Sequence, residues 1–137
     1  MILLDTGYFI ALFTPDDNLH ERAIAWCRHV NEPLLVTEYV LWECVNALSQ
    51  PQDRPSAHAL IEHVQSDPTC ELVHASPILF EAGLQWHRDR PDKGWSLTDC
   101  ISFAVMKEWK TLRALAYDHH FEQAGFEALL RKDPPAS

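Results

Sequence analysis

Ile2-Leu3-Leu4-Asp5 is an unbroken apolar run closed by a carboxylate. Such a run suits a strand covered on both faces, as in a parallel sheet, rather than one with a wet face. The signature returns late in the chain, where Ala114-Leu115-Ala116-Tyr117 leads into Asp118. Open parallel sheets take ligands beyond the carboxyl ends of their strands. Both acids are therefore expected at one sheet edge, although they stand far apart in sequence. A lone Asp after a strand is commonly a turn or helix-cap residue. Two at matched strand ends strengthen the case for a site.

Outward from these runs, apolar periodicity predicts helices over residues 8–13, about 18–30, 38–48, 56–65, 77–87 and 96–109. Asp17 or Asn18 is the expected cap of the second. Further strands are predicted at 33–37 and 71–74, with a last small unit near 126–130. Strands alternating with helices imply an α/β fold, with a parallel sheet of about four to five strands and helices on both faces, joined by right-handed connections. The length of 137 residues suits one domain. It is expected to span residues 1–132, with 133–137 a flexible tail.

Eleven Lys and Arg against 20 Asp and Glu give a formal net charge of −9, which argues against holding nucleic acid by bulk electrostatics. If RNA is the substrate, local cations, a bound metal or a basic partner must offset the acid. The start carries neither a basic leader nor a long apolar stretch, so no membrane association and a cytoplasmic location are expected. Cys27, Cys44, Cys70 and Cys100 form no C-x-x-C pair and are expected to be reduced and buried.

Two further acids fall on helices. Glu43 lies at the border of the apolar stripe formed by Val40, Leu41, Cys44, Val45 and Leu48; a border glutamate is ordinarily just solvated. Asp99 opens a helix that is apolar nearly all round and so buried, where an unpaired charge is costly. Ser96-Leu-Thr-Asp99 also fits a capping box; a cap and a site-facing acid are compatible at a first helical turn. Acids converging on one edge need a cation, and oxygen-only ligands suit Mg²⁺ or Mn²⁺. Such a centre serves phosphodiester hydrolysis through a metal-activated water.

Three blocks resemble the PIN-domain family, in particular VapC-like toxins of type II toxin–antitoxin systems: Met1-Ile-Leu-Leu-Asp-Thr-Gly-Tyr-Phe-Ile-Ala-Leu12, Ser96-Leu-Thr-Asp-Cys-Ile-Ser-Phe-Ala-Val-Met106 and Ala114-Leu-Ala-Tyr-Asp-His-His-Phe-Glu-Gln-Ala-Gly-Phe126. The likeness covers nearly the whole chain, with a divergent middle from about 51 to 90. It implies a PIN-like, Rossmann-like sheet and an acidic catalytic quartet of Asp5, Glu43, Asp99 and Asp118, with Asp5, Asp99 and Asp118 as ligands of Mg²⁺ or Mn²⁺. It also implies a single-stranded or loop RNA substrate, a homodimer and a small basic antitoxin. Gly7 and Ala116 stand where the family often has hydroxyl residues, and Thr6 and Thr98 are the possible substitutes.

The loop from Trp86 to Trp95 mixes aromatics with Arg88, Arg90 and Lys93, which offer phosphate contacts, and Trp95 offers a stacking surface. Asp89 and Asp92 among these cations allow the plainer reading of a charge-balanced loop. His119 and His120 flank Asp118 and are either phosphate contacts or helix-start residues. Trp26, Trp42, Trp86 and Trp109 are expected in core or dimer packing. A receiver domain would need a second acid beside Asp5, and a haloacid-dehalogenase phosphatase would need D-x-D where Asp5-Thr-Gly7 stands. A catalytically weak or inactive PIN-like module that binds RNA or protein is the alternative.

Overall fold

The computed structural model describes residues 1–136. Twelve elements follow in order: β1 (Ile2–Leu4), α1 (Thr6–Phe13), α2 (His20–His29), β2 (Leu34–Thr37), α3 (Glu38–Ala47), α4 (Arg54–Ser66), β3 (Cys70–Val73), α5 (Pro77–Asp89), α6 (Leu97–Glu108), β4 (Arg113–Leu115), α7 (His119–Gln123) and β5 (Glu127–Ala128), closed by a 3₁₀ turn at Leu129–Arg131. The five strands form one sheet in the order β3-β2-β1-β4-β5, and every pairing is parallel.

β1 is central because both its faces are buried. Ile2 and Leu4 point into the layer that holds Tyr8, Phe9, Trp26, Val40, Cys44 and Leu60 from α1 to α4. Leu3 points into the opposite layer with Cys100, Phe103, Met106 and Phe121 from α6 and α7. The alternation is that of a strand between two helical layers. From β1 the chain steps outward to β2 and β3. It then returns on the other side of β1 with β4 and steps outward again to β5. The crevice between β1 and β4 is thus the switch point where a doubly wound sheet takes its ligand.

Several expectations are corrected. Pairing of β4 stops at Leu115, so Asp118 lies three residues beyond the strand rather than next to it. α5 continues to Asp89 and carries Arg88 inside a helix. Asp17 and Asn18 do not cap α2; Leu19 holds the N-cap position, and Asp17 Oδ1 instead accepts from Leu19 N at 2.8 Å. All four cysteines are free, but Cys27 is exposed and Cys70 half-buried. Trp42 is exposed on α3, while Trp26 is buried. Apart from these corrections, Ser137 of the expected tail 133–137 lies outside the described residues, and the exposed Asp133 accepts from Arg22 Nε at 3.0 Å. Among the described residues, no helix is long and apolar enough to cross a membrane.

α6 and α7 end alike. After α6, Thr111 N donates to Met106 O and Lys110 N to Lys107 O; after α7, Phe126 N donates to Phe121 O and Gly125 N to Glu122 O. These are Schellman closures, which require a left-handed residue after the cap. Gly125 holds it at φ 94° and Lys110 at φ 55°. Lys110→Gly is expected to remove that strain and stabilise the protein by about 1 kcal/mol, measurable as a rise in the urea midpoint at unchanged m-value.

Candidate functional site

Asp5 and Asp118 each occupy the N-cap position of the helix that follows, yet neither side chain makes a capping hydrogen bond. Capping therefore does not account for these two carboxylates. Asp5 is also tied to β4, because its backbone N–H donates to Leu115 O at 3.2 Å. The pairing that closes the switch point thus fixes where its side chain starts. Glu43 arrives by another route. α3 begins at the residue after β2 and is capped by Thr37, whose Oγ1 accepts from Val40 N at 3.2 Å. With no loop between strand and helix, Glu43 is held beside the same edge.

Asp99 does complete the capping box: Ser96 Oγ accepts from Asp99 N at 3.0 Å, and Asp99 Oδ2 accepts from Ser96 N at 3.1 Å. Asp99 Oδ2 also lies 2.8 Å from His120 Nδ1, which lies 3.6 Å from Asp118 Oδ2. Both partners fall on Oδ2, so Asp99 Oδ1 carries neither. Cap and site roles therefore coexist in one side chain.

The four acids line one open cleft of about 490 Å³. Thr6, Gly7, Ile10, Asp17, Leu19, Ser96, Tyr117 and His120 complete its lining. Of the other residues singled out from sequence, Thr98 is half-buried and, with Arg88, Arg90, Lys93 and His119, is not part of the lining. Arg90 is engaged by Asp92 through two hydrogen bonds, and Lys93 stands 3.8 Å from the same carboxylate. Trp95 is buried, with its indole N–H donating to Gln123 Oε1, so it presents no stacking face. His119 is exposed and faces Glu122; its neighbour His120 is the histidine in the cleft. Gly7 faces open space, whereas Ala116 is fully buried in the apolar layer, where a hydroxyl would need a partner.

The electrostatics follow from this crowding. Asp5 is pushed up to about 8, first by burial and then by Asp99, with Glu43 and Asp118 adding to it against the Thr6 backbone N–H. Asp99 is also raised by burial, against the Ser96 N–H and the His120 ring. Cys44, behind the cleft, is raised by burial and then by Asp5 and Glu43, which makes it an inert thiol. Lys and Arg are absent from the cleft lining. Thr6 Oγ1 is buried without a hydrogen-bond partner.

In kind, these donors suit a hard divalent cation: carboxylate oxygens, an unpartnered hydroxyl and a buried acid that ionises at neutral pH only beside positive charge. Among the described residues, no group of three or more His, Cys, Asp or Glu side chains already stands as a ligand cage. Binding would have to draw the carboxyls inward across the cleft.

Residues 2–127 match the family model described as PIN domain. The chain is 26% identical over 126 residues to the 23S rRNA-specific endonuclease VapC20 of Mycobacterium tuberculosis, covering 92% of this chain and 95% of that protein. It is 27% identical over 124 residues to a VapC ribonuclease of Archaeoglobus fulgidus, covering 87% and 78% respectively. The crystal structure of M. tuberculosis VapC20, described as a sarcin–ricin loop cleaving toxin, superposes with a TM-score of 0.85 at 25% identity, covering 92% of this chain and 96% of that one. FitAcB from Neisseria gonorrhoeae superposes with a TM-score of 0.65 at 19% identity, covering 93% and 96%, and speaks for the fold alone.

Proposed function

Because the chain belongs to the PIN-domain family, we propose that it is a metal-dependent endoribonuclease and the toxin of a type II toxin–antitoxin pair. The observation that carries this reading is the cleft itself. Four of the five carboxylates that line the cleft come from separate parts of the chain to the sheet's switch point, and two of them make no capping hydrogen bond from their N-cap positions. The names of the VapC relatives support RNA as the substrate.

Asp5, Asp99 and Asp118 would hold Mg²⁺ or Mn²⁺, with Glu43 beside them. The bound cation would supply charge neutralisation at the scissile phosphate and a water of lowered pKa. The chain's own residues do the placing. Burial and the Leu115 carbonyl fix Asp5. The Ser96 N–H and the His120 ring orient Asp99 through Oδ2, the kind of outer support that keeps a ligand aimed. The net charge of −9, with no Lys or Arg lining the cleft, favours a small basic antitoxin that neutralises this edge. A homodimer is part of the same proposal.

RNA cleavage in Mg²⁺ or Mn²⁺, wild type against Asp99→Asn and Asp118→Asn, tests it. Losing a ligand removes several kcal/mol of transition-state stabilisation, so each variant is expected to cleave at least about 100-fold more slowly. Chelation of the cation is expected to silence the wild type. Equal rates in all three proteins, or cleavage indifferent to chelation, would sink the proposal.

A further inference from the structure

The cleft has an unusual balance of binding chemistry. Its only basic side chain is His120, which is already engaged by Asp99, so an RNA strand gains no direct phosphate contact from Lys or Arg there. Even with the phosphate served by a cation, the nucleotide must be recognised by something else. Tyr117 answers that need. Of the large apolar side chains left exposed, it alone lines the cleft, next in sequence to Asp118. The residue is 44% exposed; a single exposed aromatic is ordinary on a protein surface, and what sets this one apart is its place in the lining of the acidic cleft.

The ring is also held in place. The Arg131 guanidinium lies 4.9 Å from its centroid. Arg131 is fixed in turn, since Nη1 donates to Tyr117 O at 2.7 Å and Nε stands 3.3 Å from Glu122 Oε1. A pinned aromatic loses little conformational freedom when a ligand stacks on it. Ile10 and Leu19 add apolar lining to the same cleft, whose volume falls in the range of small-ligand sites.

We propose that Tyr117 is the stacking platform for the nucleobase beside the scissile phosphate. The cleft thereby selects an unpaired nucleotide, because a base stacked within a duplex has no free face to offer. This rests on the ribonuclease reading and adds to it a substrate-binding residue.

The test is steady-state cleavage of a short single-stranded RNA in Mg²⁺ or Mn²⁺, with the same RNA annealed into a duplex as comparison. Tyr117→Ala is expected to raise KM for the single strand by about ten-fold, within what stacking a base on an aromatic side chain is worth, with a smaller change in kcat. Tyr117→Phe and Tyr117→Trp are expected to restore it. An abasic nucleotide next to the cut should raise KM for the wild type but not for Tyr117→Ala. If the wild type cuts RNA and Tyr117→Ala shows the same KM, or the abasic effect is equal in both, the platform is wrong and the nuclease reading stands. A wild type that cuts neither RNA overturns both. Because Tyr117 is exposed, its variants should melt with the wild type, which separates a binding defect from a folding one.

Discussion

Asp5→Asn is expected to stabilise the metal-free protein at pH 8 while abolishing its RNA cleavage. The carboxyl of Asp5 ionises near 8 in the folded chain, against 3.8 ordinarily, because burial and the charges of Asp99, Glu43 and Asp118 disfavour its anion. A folded-state pKa above the unfolded one means that the folded chain binds the extra proton in between. The stability it contributes is full below about pH 4 and is lost as pH rises through about 8. At about 1.4 kcal/mol per unit, the shift sets an upper bound of ~6 kcal/mol, which water in the open cleft lowers to about 2–3 kcal/mol. Asparagine keeps the shape and cannot ionise, so the variant should lack this slope.

Urea unfolding from pH 5 to 9 in chelator measures the effect directly. Wild type and variant should converge at low pH and separate as pH rises; parallel curves would mean that neither burial nor its neighbours raise the Asp5 carboxyl in the folded chain. Added Mg²⁺ or Mn²⁺ should recover the wild type's lost stability most strongly at high pH, since a cation binds the deprotonated carboxylate. The variant should recover little.

Gly83→Val is expected to cost about 3 kcal/mol and lower the melting temperature by roughly 10 °C. A Cβ at Gly83 on α5 would overlap Ile101 Cγ1 and come within 3.3 Å of the Ile101 backbone nitrogen. Ile101 is 1% exposed and has no room to retreat. α5 and α6 therefore meet at a position where only hydrogen fits. Valine adds the poor helical fit of a β-branched side chain to the collision. Gly83→Ala should cost less, because the gain in helix propensity of about 1 kcal/mol offsets part of it. Asp99 is half a turn from Ile101, so either change should also slow cleavage by shifting the start of α6. A Gly83→Val protein that melts and cleaves like the wild type would show that the two helices do not pack this closely.

How much of this was legible in the sequence depended on whether one strand or one helix turn sufficed to decide it. The burial of β1 and the edge position of Asp5 follow from four residues, because an unbroken apolar run closed by an acid has few other uses. The end of β4 did not follow: Ala116 is as buried as Leu115, so hydrophobicity continues past the point where pairing stops. The passage from β2 straight into α3 was legible, but Glu43 sits on the border of the apolar stripe of α3, and only the packing of that helix shows that its side chain lines the cleft. His120 rather than His119 enters the cleft because α7 begins at His119, and one residue along a helix turns a side chain by about 100°. Trp95 looked available among polar neighbours. Its burial comes from Trp86 and Phe103, whose rings lie 6.2 and 5.1 Å from its own, and sequence spacing does not show that they meet.

The register of the central strand bears on how the chain matures. Leu3 pairs with Leu35 on one side and with Ala114 on the other, so one neighbour of β1 is made soon after it and the other only after β3, α5 and α6. Domains organise as they emerge from the ribosome. A growing chain can assemble β1, β2 and β3 with their helices while Asp118, and the carbonyl that anchors Asp5, are still unmade. The cleft needs both neighbours of β1, so a chain that has made only β1 to β3 lacks one of its walls. A chain stopped between β3 and β4 would leave β1 with one bare edge and without the carbonyl that anchors Asp5.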